Sequence, residues 1–494
     1  MRVGAHAEGA PSRRLGLSFE VLAIGLLFVA VAFRALLIPA QSDTFWHLRA
    51  GADIWRTGHA PLIDSYSFTA AGLPYHDHEW LWQALLYACY RVGGLPLCNS
   101  MAAAVVVGTV ALVYRMTVGC RVTRFILLVI VLAPASCAWA LRPQIVTLLA
   151  LVVLVWLLER DRFWAIPFLF LAWANLHAGV LAGGLVLGAA LAAAILRRLR
   201  HRGVEDRRRL RWLAAIAALS GLATCATPLG LGLFRYGWGF AAHDQIAWIS
   251  EWETTLPSGG LGAVFWIVAV AFVLVCFKRR RTLVDGPADT WRDWVVVAAA
   301  WALFPLAFRS LRNISPFLML AAPAASRLLG ASFRFRLPRR RPADEPDADH
   351  PLFNLSLLAG AGVAAAAIVV FVWTRAPEDV GWRPIGDSAL RAVQTCGGPL
   401  YNRYDEGGFL IWFAPEQKVF IDSRHDPFPP AFMHEAIDVQ YRRKPYQPLF
   451  ARWKIRCAFL PADAEIASTL RGAGWVTRAR DRQWAVLTAP PPAP

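Results

Sequence analysis

A polytopic α-helical membrane protein of about eleven spans, ending in a small α/β domain, is what this 494-residue sequence predicts. Three observations carry that reading. Hydrophobic residues make up 57% of the chain and charged ones only 17%, and apolar segments of ~20 residues, enough to cross a bilayer, recur through its first three-quarters. Arg-rich runs occupy the short breaks between those segments. After residue 374 the pattern changes to the short apolar runs and turn residues of an aqueous domain.

Taken in order, the spans fall near 19–39, 100–116, 125–141, 144–159, 163–176, 179–196, 212–228, 261–277, 293–308, 313–330 and 353–373. The lead-in "MRVGAHAEGAPSRRLG" is cationic and no small-residue cleavage site follows it, so the first helix is expected to be retained. The segment "EWLWQALLYACYRVGGLPL" (79–97) opens with an acid and holds Gln83 and Arg91. It reads as an amphipathic helix lying at the interface, with Trp80 and Trp82 at headgroup depth.

The net charge of +17 would suggest nucleic acid in a soluble protein. Here "RRLRHRGVEDRRRLR" (197–211), "KRRR" (278–281) and "RFRLPRRR" (334–341) together hold 17 Arg or Lys against two acids. Placing the N-terminus in the cytoplasm puts all three on the cytoplasmic side, as the positive-inside rule requires. The charge therefore encodes topology, and no nucleic-acid partner is expected. The other face collects residues 40–99, "RPQ" (142–144), "NLHAG" (175–179), 229–260, "RSLRN" (309–313) and the tail. Nearly every polar group that is not a topology signal is thus expected on one side.

The transmembrane domain is assigned to 1–374, with its outer loop at 40–99, and the extracytoplasmic domain to 375–494. In the tail, "KVFIDSR" (418–424), "CAFLPA" (457–462) and "WAVLTA" (484–489) read as strands, and 385–395, 430–441 and 463–473 as helices. Cys396 and Cys457 are the plausible disulfide partners, although sequence alone does not pair them.

The outer loop carries the chemistry. In "SDTFWHLRAG" Asp43 and His47 are four apart and share one helix face. "YHDHEW" adds His76, Asp77, His78 and Glu79. A solvated loop with capping residues is the plain reading, but a loop this long is usually functional or disordered, and its aromatic content argues for order. A carboxylate here could deprotonate an acceptor hydroxyl or amine. Asp43, His47, His76, His78 and Glu79 could also hold a divalent cation (Mg, Mn or Zn). Arg142, His177 and Arg312 sit at outer span ends, and arginines so placed suit phosphate.

The stretch "SDTFWHLRAGADIWRTGHAPLIDSYSFTAAGLPYHDHEWLWQALLYACYRVGG", with "RPQ", "WANLHAG", "TPLG", "SEWE" and "RN" after it, resembles bacterial membrane proteins of the GT-C glycosyltransferase superfamily. The resemblance implies transfer of a sugar from a polyprenyl-phosphate carrier to a glycan, lipid or protein acceptor. The reaction would take place on the outer face of the bacterial inner membrane. It implies Asp43 as base or acceptor-orienting acid and Asp77 or Glu79 as the second acid. His47, Arg142, His177, Arg312 and Asn313 would then be substrate contacts. "YNRYDEGGFLIWFAPEQKVFIDSRHD" is similar in layout to the Trp-Trp-Asp-Tyr-Gly region of oligosaccharyltransferase catalytic subunits, with Arg403-Tyr404 in place of the tryptophans and Glu406 in place of the tyrosine. That likeness adds Tyr404, Asp405, Asp422 and Arg424 as contacts, while a plain Asp422–Arg424 salt bridge competes with it. The rival classes are a lipid or glycan flippase and a non-catalytic envelope assembly or sensor protein. The first would need polar groups near the midplane of its spans.

Overall fold

A computed structural model describes residues 18–201, 203–242, 254–255, 260–284, 290–330, 351–374 and 384–490. The helices up to residue 374 are α1 (Phe19–Leu36), α2 (Ser42–Thr57), α3 (Trp80–Met116), α4 (Arg121–Ala135), α5 (Gln144–Glu159), α6 (Ile166–Leu176), α7 (Val180–His201), α8 (Val204–Thr224), α9 (Gly232–Ala242), α10 (Gly260–Val284), α11 (Trp291–Arg309), α12 (Ile314–Leu329) and α13 (Pro351–Thr374). Seven helices among the described residues are long and apolar enough to cross a membrane, and 144–159 and 163–176 are shorter apolar helices. The fold class is as expected: a polytopic helical membrane protein with a small C-terminal sheet.

Two expectations about the membrane part change. The Arg-rich segments are mainly helix ends: α7 runs to His201, α8 restarts at Val204, and α10 carries Lys278–Arg281 in its last turns. Arginine is a good helix former, so these helices continue past their apolar stretch. Arg197 is buried against Asp206 (Nε to Oδ1, 3.3 Å) and donates to Thr290 (2.9 Å), so it adds a helix-to-helix tie to its topological role. The 79–97 segment joins its following span in one helix, α3, broken at Gly93–Gly94 ahead of Pro96. Gly94 takes φ +62°, which favours glycine. The break separates the first turns, from Trp80 to Val92, from the apolar helix that follows. "SEWE" and "RFRLPRRR" lie outside the described residues.

The tail contains α14 (Asp387–Gln394), β1 (Leu400–Asn402), α15 (Gly407–Phe413), α16 (Pro430–Gln440), α17 (Gln447–Arg452), β2 (Cys457–Pro461), α18 (Glu465–Gly472), β3 (Val476–Arg480) and β4 (Trp484–Thr488). The sheet order is β1-β2-β4-β3, with β1 parallel to β2 and the other pairs antiparallel. Cys396 and Cys457 form a disulfide. Alternation along β2 sends Ala458 and Leu460 to one face, with Tyr401, Phe420 and Leu470, and Phe459 to the other. On this second face the core is completed by Trp46 and Tyr66 of the outer loop.

Residues 418–424 are not a strand of this sheet. Val419 N donates to Tyr66 O (3.0 Å) and Phe68 N to Val419 O (3.1 Å), so this segment pairs with the outer loop. On its other side the Asn402 side chain replaces a neighbouring strand, accepting from Phe420 N (2.8 Å) and donating to Ile421 O (2.6 Å). The apolar run Val419–Ile421 is buried, as a strand would be, but its backbone partner is a distant loop. The helix α15 is the second joint. Its Leu410 and Ile411 enter the tail core, and its Phe409 and Phe413 rings lie 5.5 and 5.0 Å from Phe45 of α2.

Candidate active site

Residues 40–99, 142–144, 175–179, 229–260 and 309–313 and the tail, all expected on one face, each place described residues against one cavity of about 1060 Å³. Its polar part is lined by Asp43, His47, His78 and Glu79 of the outer loop, Arg142 and Gln144 before and in α5, and His177 after α6. Arg312 and Asn313, between α11 and α12, complete this wall, and Tyr404, Asp405, Ser423 and Arg424 of the tail roof it. Its other end is apolar, formed by Leu148, Leu151, Leu181, Leu303 and Leu306 inside the helix bundle.

Asp43 owes its position to the start of α2. Gln41 is the N-cap, and Thr44 closes a reciprocal capping box with it. Thr44 Oγ1 also donates to Leu141 O (3.2 Å), tying this turn to the residue before Arg142. The Asp43 carboxylate lies 3.0 Å from Arg142 Nε and accepts from Trp46 Nε1 (3.3 Å) and from Ser423 Oγ. A membrane-surface acid, a span-end arginine and a tail serine therefore meet at one point.

Glu79 sits among three imidazoles, with Nε2 of His78 at 3.4 Å, of His177 at 3.5 Å and of His47 at 3.6 Å. Burial pushes the Glu79 carboxyl up, but the three histidines, His78 first, outweigh it and hold the group below the usual carboxylate range. Burial pulls His78 down, and Glu79 reverses this, so His78 titrates above its usual range. Burial dominates at His47, lowered to about 4, and at His177, lowered to about 3. Burial thus favours neutral rings at His47 and His177, while the mutual attraction of His78 and Glu79 favours the charged form of each.

The remaining sequence candidates are divided between the cavity and its surroundings. Asp77 does not line the cavity. It is buried behind it, accepting from Gln83 Nε2 (2.8 Å) and Glu79 N (3.3 Å), and its Oδ2 has no hydrogen-bond partner among the described residues. His76 pairs with Asp426 (3.0 Å). Asp422 and Arg424 form the plain salt bridge, at 2.7 Å, joined by Asp64 at 2.6 Å. Asp405, on the short 3₁₀ turn before α15, faces the cavity, and burial raises its pKa. Several lining residues carried no sequence signal. Tyr236 is one of several aromatics on α9, and its ring lies 5.6 Å from that of His76 and 4.7 Å from that of His78. Ser423 and Thr147 are ordinary hydroxyl residues until their partners are known.

Asp77 yields a pH prediction. Burial raises its pKa from 3.8 to about 7. Because the folded value exceeds the unfolded one, the stability it contributes is full below about pH 4 and is lost as pH rises through about 7. The melting temperature is expected to fall between about pH 5 and 8, while Asp77→Asn, which keeps the acceptor for Gln83, flattens that slope. Equal slopes in both proteins would contradict the assignment.

The five side chains considered for a cation are divided. Asp43 faces Arg142, His76 faces Asp426, and only His47, His78 and Glu79 remain together. Among the described residues no group of three or more His, Cys, Asp or Glu is arranged to hold a metal ion.

The fold is GT-C-like, that of a polytopic helical membrane protein. No protein-family model matches the chain, and no curated protein matches it. Among solved structures it is similar to the archaeal oligosaccharyltransferase AglB from Archaeoglobus fulgidus, in complex with an inhibitory peptide and a dolichol-phosphate. That match has a TM-score of 0.55 and 11% identity, over 90% of this chain and 70% of that one. It is also similar to ArnT from Cupriavidus metallidurans bound to undecaprenyl phosphate, with a TM-score of 0.48 and 13% identity, over 94% of this chain and 97% of that one. At this identity the AglB likeness establishes the fold.

Proposed function

We propose that the protein is a membrane glycosyltransferase that moves a sugar from a polyprenyl-phosphate carrier to an acceptor at the outer membrane face. The observation that carries this reading is the cavity's two-part lining. An apolar end within the bundle suits an isoprenoid chain, and Arg142 and Arg312, in its polar wall, suit a phosphate. The dolichol-phosphate in the AglB structure supports the carrier class. Polar groups gather at one end of the bundle, which favours an interfacial enzyme over a flippase.

In the proposed reaction an acceptor O–H or N–H attacks the anomeric carbon, the bond from that carbon to the phosphate oxygen breaks, and polyprenyl phosphate leaves. Arg142 and Arg312 match the charge of the leaving phosphate. Arg142 is shared, since it neutralises Asp43 until a donor phosphate competes for it. A donor that draws Arg142 away leaves Asp43 as the carboxylate that takes the acceptor proton or orients the acceptor. Glu79 is the second acid. The tail disulfide supports an extracytoplasmic tail, since disulfides persist in oxidising compartments. With the N-terminus cytoplasmic, the protein belongs in a bacterial inner membrane.

Binding of a polyprenyl phosphate to protein in nanodiscs, followed by native mass spectrometry, tests the donor half. Arg312→Ala is expected to weaken binding roughly tenfold, the equivalent of ~1.4 kcal/mol for a charge-assisted contact. Asp43→Asn should leave binding intact or tighter while abolishing sugar transfer. Absence of lipid binding, or undiminished transfer by Asp43→Asn, would overturn the reading.

A further inference from the structure

The contacts around Glu79, 3.4 to 3.6 Å, resemble the spacing between neighbouring ligands of a zinc ion, which sit ~2.0–2.1 Å from the metal. Whether the cluster is a metal site turns on where the imidazole protons are. A histidine that ligates through Nε2 must carry its proton on Nδ1, and that N–H is normally donated to a carbonyl or carboxylate.

His177 has the opposite surroundings. Its Nδ1 accepts from Gly179 N–H at 3.1 Å, and a backbone N–H has no other role to offer. The Thr147 hydroxyl lies 2.7 Å from the same nitrogen. That hydroxyl already accepts from Trp173 Nε1 at 2.9 Å, so its own proton is free to be donated to Nδ1. The chain Trp173 to Thr147 to His177 therefore runs in one direction, and the proton of His177 sits on Nε2, facing Glu79. The absence of a side chain at residue 179 is part of the arrangement. A Cβ there would lie 2.2 Å from Thr147 Oγ1 and 2.6 Å from His177 Nδ1. His47 fails the same test, because its buried Nδ1 has no hydrogen-bond partner among the described residues. Only His78, with Nδ1 3.0 Å from His76 O, has the surroundings of a ligand.

We infer that His177 is a fixed neutral donor and that Glu79 receives hydroxyl or amine groups of the substrate directly, with no resident divalent cation. This rests on the reading above only in taking the cavity as the substrate site. Thr147 and Gly179 are positioning residues. They hold the ring of His177 in one tautomer, and His177 and His78 orient Glu79 from one side. The lone pairs left over on Glu79, which lines the cavity, are open to O–H and N–H donors of a sugar or acceptor.

The test is a set of measurements on the full-length protein in nanodiscs. Protein labelled with ¹⁵N-histidine, with His177 assigned by comparison with His177→Gln, is expected to show Nδ1 unprotonated and Nε2 protonated. Thr147→Val should keep that tautomer, because Gly179 remains, whereas Gly179→Ala should shift His177 toward a mixture. Metal analysis after dialysis without chelator should find no stoichiometric ion, and Zn²⁺ or Mn²⁺ titration should show no saturable binding that Glu79→Gln removes. One equivalent of retained ion that disappears in Glu79→Gln, or a His177 protonated on Nδ1, would overturn the inference. The same samples carry polyprenyl phosphate with and without EDTA. Failure of the lipid to bind at all counts against the proposed function and leaves the tautomer and metal results standing. Lipid binding that is lost in EDTA and restored by Mn²⁺ counts against this inference alone.

Discussion

Replacing Arg424 by Met is expected to detach the tail from the outer loop and to cost about 3–5 kcal/mol, the usual penalty for stranding a buried charge. The Arg424 side chain is fully buried. Its Nη2 lies 2.6 Å from Asp64 Oδ1 and donates to Asp422 Oδ2 at 2.7 Å, while Nε donates to Asp422 Oδ1 at 2.8 Å. Tyr66 and Tyr75 flank the guanidinium, with ring centres 4.8 and 5.1 Å from its carbon. Asp64 meanwhile holds its own loop turn, accepting from Ser67 Oγ (2.6 Å) and Ser67 N (3.1 Å). Methionine fills similar space but leaves two carboxylates buried without a cation. Burial already raises the Asp422 pKa against the pull of Arg424. With the arginine gone, the folded state gains most from protonation, so the defect should be smaller at about pH 5 than at about pH 8. Thermal unfolding and limited proteolysis at both pH values check this. A variant within ~0.5 kcal/mol of wild type would show that the trio does not hold the two parts together.

The second large effect is expected from Gly408→Ala. A Cβ at this position would lie 2.1 Å from Ser42 O and 2.5 Å from Ser42 Oγ. The first of these is backbone at the start of α2, so it cannot turn aside. Gly408 N also donates to Ser42 Oγ (3.0 Å), one residue before Asp43. An added methyl must push α15 away from α2, and with it the tail roof that places Ser423 on Asp43. The expected cost is ~1–3 kcal/mol from overpacking, with loss of transfer but retention of lipid binding, since Arg312 and the apolar end belong to the membrane helices. Gly472→Ala, on α18 with open space around it, is the matched control and should be harmless. Full transfer activity in Gly408→Ala would show that the close approach is dispensable.

Both predictions concern the joint between tail and outer loop, which the sequence showed only in part. Adjacent glycines such as Gly407–Gly408 permit a close backbone approach, and the structure identifies what approaches: Ile421 O and the Asp422 side chain at one glycine, Ser42 at the other. The strand expected at 418–424 failed for a related reason. A short apolar run such as Val419–Ile421 points to a buried, extended segment, but it does not name the partner, which here is Tyr66–Phe68 and the Asn402 side chain. Likewise Asp422 and Arg424, two residues apart, could be read as a pair, while Asp64, their third member, could not.

What the sequence by itself determined is whatever depends on neighbours along the chain. Helices apolar enough to cross a membrane follow from runs of apolar residues, and the expected sidedness, with the His, Asp, Glu and Arg that it gathers on one face, from the arginines beside them. Those properties are solvation free energies of contiguous segments, so they can be summed locally. The tertiary structure decided which of these groups touch. Asp43 meets Arg142 and Ser423, the latter 380 residues away, and Glu79 meets His177. It also decided which candidates turn inward, as Asp77 does. Hydrogen bonds and ion pairs act over about 3 Å between groups whose separation in sequence is arbitrary, so only the packing of the helices and the tail could assign them.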